Sequence, residues 1–147
     1  MVCVAWQHSH GGQTPSLFED GVKSVNNTLL RAKFEHTFAI FTFYSRSRGI
    51  SFITTSFLRT AEEQEKLFKE GKSGCDGKTR ISKHQKGRAR DIVIIDKNGN
   101  PIWDYITDYD VLGELWEQLG GKWGGRWFKE GKTKFNDLYH FEDEEIT

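Results

Sequence analysis

Apolar residues follow a helical pattern through the first third of the chain. Over residues 22–41 they recur at steps of three to five, which places most of them on one helical face. Ser16-Leu17-Phe18-Glu19 has the form of a capping box ahead of this pattern. Although Thr37 to Tyr44 is rich in Phe and Thr and is locally typical of a strand, the period favours a helix that continues to about Arg48. Gly49 then provides a left-handed stop.

The middle of the chain predicts short strands separated by a helix and a turn. Ile50 to Phe57 and Ala89 to Ile95 contain β-branched and aromatic runs that are typical of strands. Between them, Thr60-Ala61-Glu62-Glu63 is a second capping box, and it opens a short helix that Gly71 ends. Asn98-Gly99 is typical of a tight hairpin turn after the second strand.

The last part of the chain predicts one more helix and one more strand. Leucine and tryptophan residues occupy helical spacing from Tyr109 to Leu119, and two glycines follow. Leu138 to Phe141 predicts a short final strand. Helices grouped around a few strands of this kind indicate an α+β fold with a central antiparallel sheet and flanking helices. We expect residues 1–15 to form an irregular N-terminal segment and residues 16–147 to form a single domain.

The composition suits one small domain and argues against several function classes. The chain has 147 residues, of which 36% are hydrophobic, and this is enough for one core. Lys and Arg together number 21, as do Asp and Glu, so the formal net charge is zero. This argues against nucleic-acid binding driven by a strongly positive charge. No apolar run approaches the roughly 20 residues of a membrane helix, and we expect no signal peptide. Cys3 and Cys75 form no disulfide framework, and Cys75 is expected to be a plain free thiol.

Two histidines and an aspartate form the most informative pattern. The chain has five histidines: His8, His10, His36, His84 and His140. Of these, His84 precedes Asp91 at the start of a predicted buried strand, and His140 lies in the predicted final strand. Two imidazoles and one carboxylate are a common ligand set of catalytic zinc, and they leave a fourth position open. Gly87 allows a tight bend after the first ligand, and Ala89 leaves room beside the metal.

Asp137 is the candidate general base that a hydrolytic zinc site requires. It lies three residues before His140, and in an ideal strand an odd offset would put the two side chains on opposite faces. We therefore expect Asp137 to lie on the turn before the strand, for which the loop-like segment from Gly131 to Asn136 leaves room. The alternative role of Asp137 is to cap that turn.

These motifs resemble those of the M15 family of zinc peptidases. The main motifs are Ser82-x-His84-x-x-Gly87-x-Ala89-x-Asp91 and Asp137-x-x-His140. Trp123-Gly124-Gly125-Arg126-Trp127 is similar to a Trp-Gly-Gly-x-Trp segment of the L-alanyl-D-glutamate endopeptidases in this family. Phe57-Leu58-Arg59-Thr60, followed by Gln64, resembles a Gly-Tyr-Arg-Thr/Ser…Gln segment. The resemblance implies a small single-domain fold of the Hedgehog and D-Ala-D-Ala-peptidase type, with a zinc cleft over a central antiparallel sheet.

The resemblance also implies roles for the matching residues. His84, Asp91 and His140 would bind one Zn²⁺. Asp137 would activate water and later protonate the leaving amine. Arg59 would stabilise the oxyanion, and its alternative role is a structural salt bridge at the start of a helix.

Further residues are candidates for binding the substrate or a second metal. Ser82 would contact substrate or order the loop that carries the first histidine, and Trp127 and Tyr139 would line the substrate groove. His8 and His10 could suggest a second metal site, although a solvated terminus is the simpler interpretation. The Lys and Arg residues of segment 78–90 either form a solvated loop or attract an anionic wall polymer.

The activity implied by the resemblance is hydrolysis of the stem peptide of bacterial peptidoglycan, most simply at the L-Ala–D-Glu bond. The alternatives are D-Ala–D-Ala carboxypeptidase activity and a zinc-containing module that binds wall peptide without cutting it. The Trp-Gly-Gly-x-Trp segment and the small size favour a bacteriophage endolysin with residues 16–147 as its catalytic domain. Such a bacteriolytic enzyme would be a monomer, made in the host cytoplasm and active on the cell wall, without binding nucleic acid or inserting into a membrane.

Overall fold

The computed structural model of the protein describes residues 26–144. The expected irregular segment 1–15, the first capping box and the histidines His8 and His10 therefore lie outside the described residues, and the division of the chain at residue 16 stays a prediction.

The first helix of the described residues, α1, spans Asn27–Ser47 and begins later than the sequence pattern predicts. Asn26 has an extended backbone, and its side chain accepts a hydrogen bond of 2.9 Å from the backbone N–H of Thr28. Asn26 is thus the N-cap, and a helix running unbroken from the capping box at residues 16–19 to Arg48 is wrong. The Phe- and Thr-rich stretch 37–44 is helical, because its buried phenylalanines follow the helical period.

The other elements follow the predicted order, with three short additions. They are β1 (Ser51–Ser56), α2 (Ala61–Lys69), β2 (Ala89–Ile95), β3 (Pro101–Ile102), α3 (Thr107–Gln118), β4 (Gly121–Trp123), α4 (Gly124–Lys129) and β5 (His140–Asp143). The predicted capping box at Thr60 is confirmed, since its hydroxyl and the Glu63 carboxylate each accept the other's backbone N–H. The additions are β3, β4 and α4. The strand β3 has only two residues and follows the predicted hairpin turn, while β4 and α4 are too short and too rich in glycine to leave a periodic pattern.

The sheet is antiparallel, with the strand order β1-β2-β5-β4 and β3 paired to the end of β2. The sequence predicted that the last strand would begin at Leu138, but β5 begins two residues later, at His140. The reason is a turn in which the backbone N–H of His140 bonds to the carbonyl of Asp137, so pairing begins only at His140.

An aromatic core fills the space between α1, α3 and one face of the sheet. Phe41 is fully buried, and its ring centroid lies 5.3 Å from that of Trp116 and 5.4 Å from that of Phe141. Ile92 on β2 joins the same core. Because side chains alternate along a strand, the neighbours of these strand residues face the opposite side of the sheet.

No helix within residues 26–144 combines the length and the apolar character needed to cross a lipid bilayer.

Two phenylalanines on α1 test this packing directly. Phe41→Ala should lower the free energy of unfolding by about 3–5 kcal/mol, because it empties a fully buried aromatic position. Phe43→Ala, on the same helix but 70% exposed, should change it by less than about 0.5 kcal/mol. Urea denaturation of both variants measures the difference, and equal losses would contradict the packing described here.

Candidate metal centre

Three side chains meet on the face of the sheet that lies opposite the core. Asp91 on β2 stands directly across from His140 on β5, and His84 comes from the turn before β2. His84 Nε2 lies 3.2 Å from Asp91 Oδ1 and 3.3 Å from His140 Nδ1. His140 Nδ1 lies 3.1 Å from the same oxygen of Asp91. The three donor atoms therefore form a nearly equilateral triangle, as the ligand set predicted from the sequence requires.

The size of this triangle fits zinc. Ligand bonds of 2.0–2.1 Å in a tetrahedral site put neighbouring donor atoms about 3.3–3.4 Å apart. The three observed separations lie close to that value, so the donors could bind one Zn²⁺ with little movement. Two imidazoles and a carboxylate are also donors that zinc accepts, and the fourth position remains free for a substrate or water.

The outer nitrogen of each imidazole faces a hydrogen-bond acceptor. His84 Nδ1 lies 2.8 Å from the backbone carbonyl of Phe57, and His140 Nε2 lies 3.0 Å from Glu142 Oε2. A carbonyl and a carboxylate can only accept, so each outer nitrogen donates a hydrogen to its partner. A cation that takes the place of any proton inside the cluster would then meet the lone pairs of the inner nitrogens, His84 Nε2 and His140 Nδ1.

The turn that carries His84 is held by its neighbours in sequence. The Ser82 hydroxyl accepts the backbone N–H of Gln85 at 3.2 Å, and Gln85 Oε1 accepts the backbone N–H of Ser82 at 3.0 Å. Gly87 closes the turn at a φ of 65°, in the left-handed region that favours glycine. Ser82 thus orders the loop, which is one of the two roles considered for it, and it also lines the cleft described below.

Arg59 lies between the metal-binding cluster and α2. Its Nη2 is 3.8 Å from Asp91 Oδ2, and its Nη1 donates to Gln64 Oε1 at 2.8 Å. Gln64 is fully buried and donates in turn to Ser73 Oγ and to the carbonyl of Cys75, both at 2.7 Å. The guanidinium therefore stands beside the oxygen of Asp91 that does not face the histidines.

Asp137 lies on the turn immediately before β5, as the sequence predicted. The side chain opens onto the cleft, but desolvation by the surrounding protein raises the pKa of its carboxyl above the usual range. Asp91 adds to the rise, against the opposing effect of His140. Gly124 at the start of α4 allows this position, because a Cβ there would lie 2.4 Å from the Asp137 carbonyl oxygen and 2.9 Å from its Cβ.

The Trp-Gly-Gly-x-Trp segment joins the core to the cleft. Trp123 is fully buried, and its Nε1 donates to the carbonyl of Leu138 at 2.9 Å, which anchors the turn that carries Asp137. Trp127 lies on α4 with its ring centroid 5.6 Å from that of His140. Tyr139 also lines the cleft, and its hydroxyl donates to the carbonyl of Trp103.

All the site residues proposed from the sequence line one cleft of about 1030 Å³. These are Arg59, Ser82, His84, Asp91, Trp127, Asp137, Tyr139 and His140. The far wall comes from the loop around Ser73 and Cys75. Within the described residues Cys75 makes no disulfide, so the expectation of a free thiol is consistent with the structure.

The charge around the cluster favours a cation. Burial acts to raise the pKa of Asp91, but hydrogen bonds with His140 and His84 outweigh it and hold the pKa well below its usual range. For His140, burial acts to lower the pKa, but hydrogen bonds with Asp91 and Glu142 raise it to about 10. The carboxylates thus give the cluster a negative potential that a divalent ion would neutralise.

Sequence reasoning missed Glu142 and gave Gln64 no role. The signal for Glu142 was present, because a residue two positions after His140 lies on the same face of a strand. Gln64 is part of the sequence segment that contains Arg59, but its hydrogen bond to Arg59 was not predicted. The basic segment 78–90 is held by ion pairs, unlike the solvated loop considered from the sequence. Lys83 and Arg88 pair with Asp143, and Arg90 pairs with Glu35.

Comparisons with known proteins point to one family. Residues 76–143 match the Peptidase M15 family model described as D-alanyl-D-alanine carboxypeptidase. The peptidoglycan L-alanyl-D-glutamate endopeptidase CwlK of Bacillus subtilis (strain 168) is 28% identical over 109 residues, which cover 65% of this chain and 62% of CwlK. The chain therefore spans somewhat less than two thirds of that relative.

Two solved structures share the fold. The L-Ala D-Glu endopeptidase ChiX of Serratia marcescens superposes with a TM-score of 0.60 at 20% identity, over 84% of this chain and 89% of ChiX. The vancomycin-resistance D,D-pentapeptidase VanY of a VanB-type cassette, in complex with Zn(II), superposes with a TM-score of 0.56 at 19% identity, over 76% and 70% of the two chains. The α+β fold with a central antiparallel sheet is therefore confirmed.

Zinc binding can be tested on two histidines. Zinc should raise the Tm of the wild-type chain, because it binds the folded cluster. His84→Ala should abolish this rise and the stoichiometric zinc content, while His36→Ala, at an exposed position on α1, should keep both. Thermal melts and elemental analysis give the readout, and a His84→Ala chain that retains one zinc would show that the ligand is wrong.

Proposed function

We propose that this chain, whose residues 76–143 belong to the M15 peptidase family, is a zinc-dependent metallopeptidase that cleaves the stem peptide of bacterial peptidoglycan. The observation that carries the proposal is that one donor atom from each of His84, Asp91 and His140 lies within 3.3 Å of the other two. Asp137 lines the same large cleft. A cleft of this size accepts a peptide segment, and its ligand set is that of a hydrolytic zinc site.

His84, Asp91 and His140 hold the ion in this proposal. Zinc bound there supplies a Lewis acid that polarises a carbonyl and makes water more acidic. The Phe57 carbonyl keeps the first imidazole in the required tautomer. Asp91 offers one oxygen to the cluster and leaves the other beside Arg59.

Asp137 is the proposed general base. Its carboxyl opens onto the cleft, so it can take a proton from the attacking water and later deliver that proton to the leaving amine. The raised pKa suits this exchange, because a stronger base takes the proton more readily. The lack of a side chain at Gly124 leaves room for the turn that carries Asp137, since a Cβ there would lie 2.4 Å from the Asp137 carbonyl oxygen.

Arg59 is the proposed oxyanion partner. Its guanidinium lies beside Asp91 and is held by Gln64 through a hydrogen bond of 2.8 Å, so a positive charge stands ready next to the metal centre. A charge fixed in advance stabilises the developing oxyanion without reorganisation during the reaction. The contact with Asp91 also gives Arg59 the salt-bridge role considered from the sequence, and the two roles are compatible.

Ser82, Trp127 and Tyr139 are proposed to contact the substrate. The Ser82 hydroxyl accepts from a backbone N–H, which leaves its own hydrogen to donate into the cleft. Trp127 offers an aromatic wall next to His140. The Tyr139 hydroxyl is engaged by the Trp103 carbonyl, so this residue contributes its ring rather than its hydroxyl.

The bond we favour is L-Ala–D-Glu. Support comes from CwlK and ChiX, both named as endopeptidases for that bond, and from the Trp-Gly-Gly-x-Trp segment. D-Ala–D-Ala carboxypeptidase activity is the second candidate, favoured by the description of the matching family model. A module that binds wall peptide without cleaving it is less favoured, because it would have no use for Asp137.

We also propose a biological setting of the bacteriophage endolysin type. In it, a bacteriolytic monomer with residues 16–147 as the catalytic domain is made in the host cytoplasm and acts on the cell wall. The relatives' action on peptidoglycan supports the target, and the Trp-Gly-Gly-x-Trp segment supports the endolysin assignment.

Digestion of purified peptidoglycan by the zinc-loaded chain tests the proposal, with mass spectrometry of the fragments. A new N-terminal D-Glu, with L-Ala left on the muramyl residue, is the expected product. Release of D-Ala alone would move the chain to the carboxypeptidase activity. The absence of any product from a folded chain with zinc bound would overturn the peptidase proposal in favour of a binding module.

Asp137→Asn separates catalysis from metal binding. The substitution keeps the shape of the side chain but removes the base, so hydrolysis should fall by about 10²–10⁴-fold while zinc content stays at the wild-type level. Asp108→Asn, on α3 away from the cleft, is the matched control and should keep full activity. Rates and zinc content are measured on the same preparations, and undiminished cleavage by Asp137→Asn would show that another group is the base.

A further inference from the structure

Glu142 lies on the cleft face of β5, two residues after His140. In the sheet it stands directly opposite Ala89 on β2 and Lys122 on β4. Its backbone is fixed from the core side, since its carbonyl accepts Trp116 Nε1 at 2.8 Å. Because Glu142 and His140 are two residues apart on one strand, their side chains lie on the same face of the sheet.

The carboxylate of Glu142 is directed at His140. Oε2 lies 3.0 Å from His140 Nε2, and the two side chains are only 17% and 12% exposed. Lys122 does not compete for this carboxylate, because its ammonium instead lies 3.9 Å from Glu144 Oε1. Within residues 26–144, His140 is the only hydrogen-bond partner of the Glu142 side chain.

We propose that Glu142 is a positioning residue that fixes the tautomer and the ring orientation of His140 and thereby sets the zinc affinity. The inference rests on the proposed zinc site and goes beyond it, because it assigns a function to a carboxylate outside the ligand set. Glu142 binds no metal and takes no proton from water. It accepts the Nε2 hydrogen and leaves the Nδ1 lone pair directed at the ion.

The need for such a residue follows from Asp91. A neutral imidazole has one hydrogen, and His140 has a carboxylate at each nitrogen, Asp91 Oδ1 at 3.1 Å from Nδ1 and Glu142 Oε2 at 3.0 Å from Nε2. If the hydrogen lay on Nδ1, it would block the atom that has to bind the cation. Glu142 offers the hydrogen an equally good acceptor on the far side, so the ring can bind zinc without turning over.

The test is a comparison of zinc dissociation constants, measured by competition with a chromophoric chelator. Glu142→Ala should weaken zinc binding by about 10–100-fold, because the outer acceptor is lost. Glu142→Gln should fall between Glu142→Ala and the wild type, since the amide oxygen still accepts but a neutral acceptor makes a weaker hydrogen bond. Glu144→Gln removes an acidic charge two residues further on and should bind zinc like the wild type.

A second readout follows the tautomer itself. Nitrogen NMR of the zinc-loaded wild type should show the hydrogen of His140 on Nε2, slow to exchange with solvent, and in Glu142→Ala that hydrogen should exchange rapidly. Wild-type zinc affinity in Glu142→Ala would overturn the inference. So would an equal loss in Glu144→Gln, which would indicate a general effect of charge. If Glu142→Ala fails to fold, Glu142→Gln carries the test, and wild-type affinity in that variant overturns the inference.

The outcome also separates this inference from the function. A wild-type chain that binds no zinc would overturn both. A wild-type chain that binds zinc and cleaves peptidoglycan, next to a Glu142→Ala chain with the same affinity, would overturn the role of Glu142 alone.

Discussion

The antiparallel pairing of β2 with β5 is the interaction on which the candidate site depends. Its register puts Asp91 directly across from His140, and it puts Ala89 across from Glu142 on the same face. A shift of one residue would turn Asp91 towards the core and Ile92 towards water. Ile92 and Phe141 are fully buried, so the hydrophobic core enforces the register, and the register in turn places two of the three proposed ligands.

Around that pair, each part of the site is held by a contact to a different element. The turn before β2 brings His84, whose outer nitrogen is fixed by the backbone carbonyl of Phe57, the residue after β1. The buried indole of Trp123 anchors the turn before β5 that carries Asp137. Gln64 on α2 holds Arg59 beside Asp91. The proposed chemistry therefore rests on side chains whose positions are set by the fold before any substrate arrives.

The sequence predicted the fold class, most elements and the residues that meet in the cleft, because these leave local signals. Capping boxes, the helical period of the phenylalanines and the spacing of His84 and Asp91 can all be recognised in one dimension. The sequence pattern did not predict the start of α1, because the N-cap at Asn26 interrupts an apolar period that begins earlier. It also missed β3, β4 and α4, which are too short to show a period. Glu142 lies two residues after His140 on the same strand face, so its contact had a local signal that the sequence reasoning did not use. The contacts of Gln64 with Ser73 and Cys75 form only when the loop after α2 folds back on that helix.

The most direct test of the central claim is anomalous diffraction at the zinc edge from crystals of the zinc-loaded chain. The account predicts one strong peak, bounded by His84 Nε2, His140 Nδ1 and Asp91 Oδ1, with Asp137 and Arg59 beside it. A principal zinc peak elsewhere, for example at His8 and His10 or at Cys75, with no density among these three atoms, would contradict it.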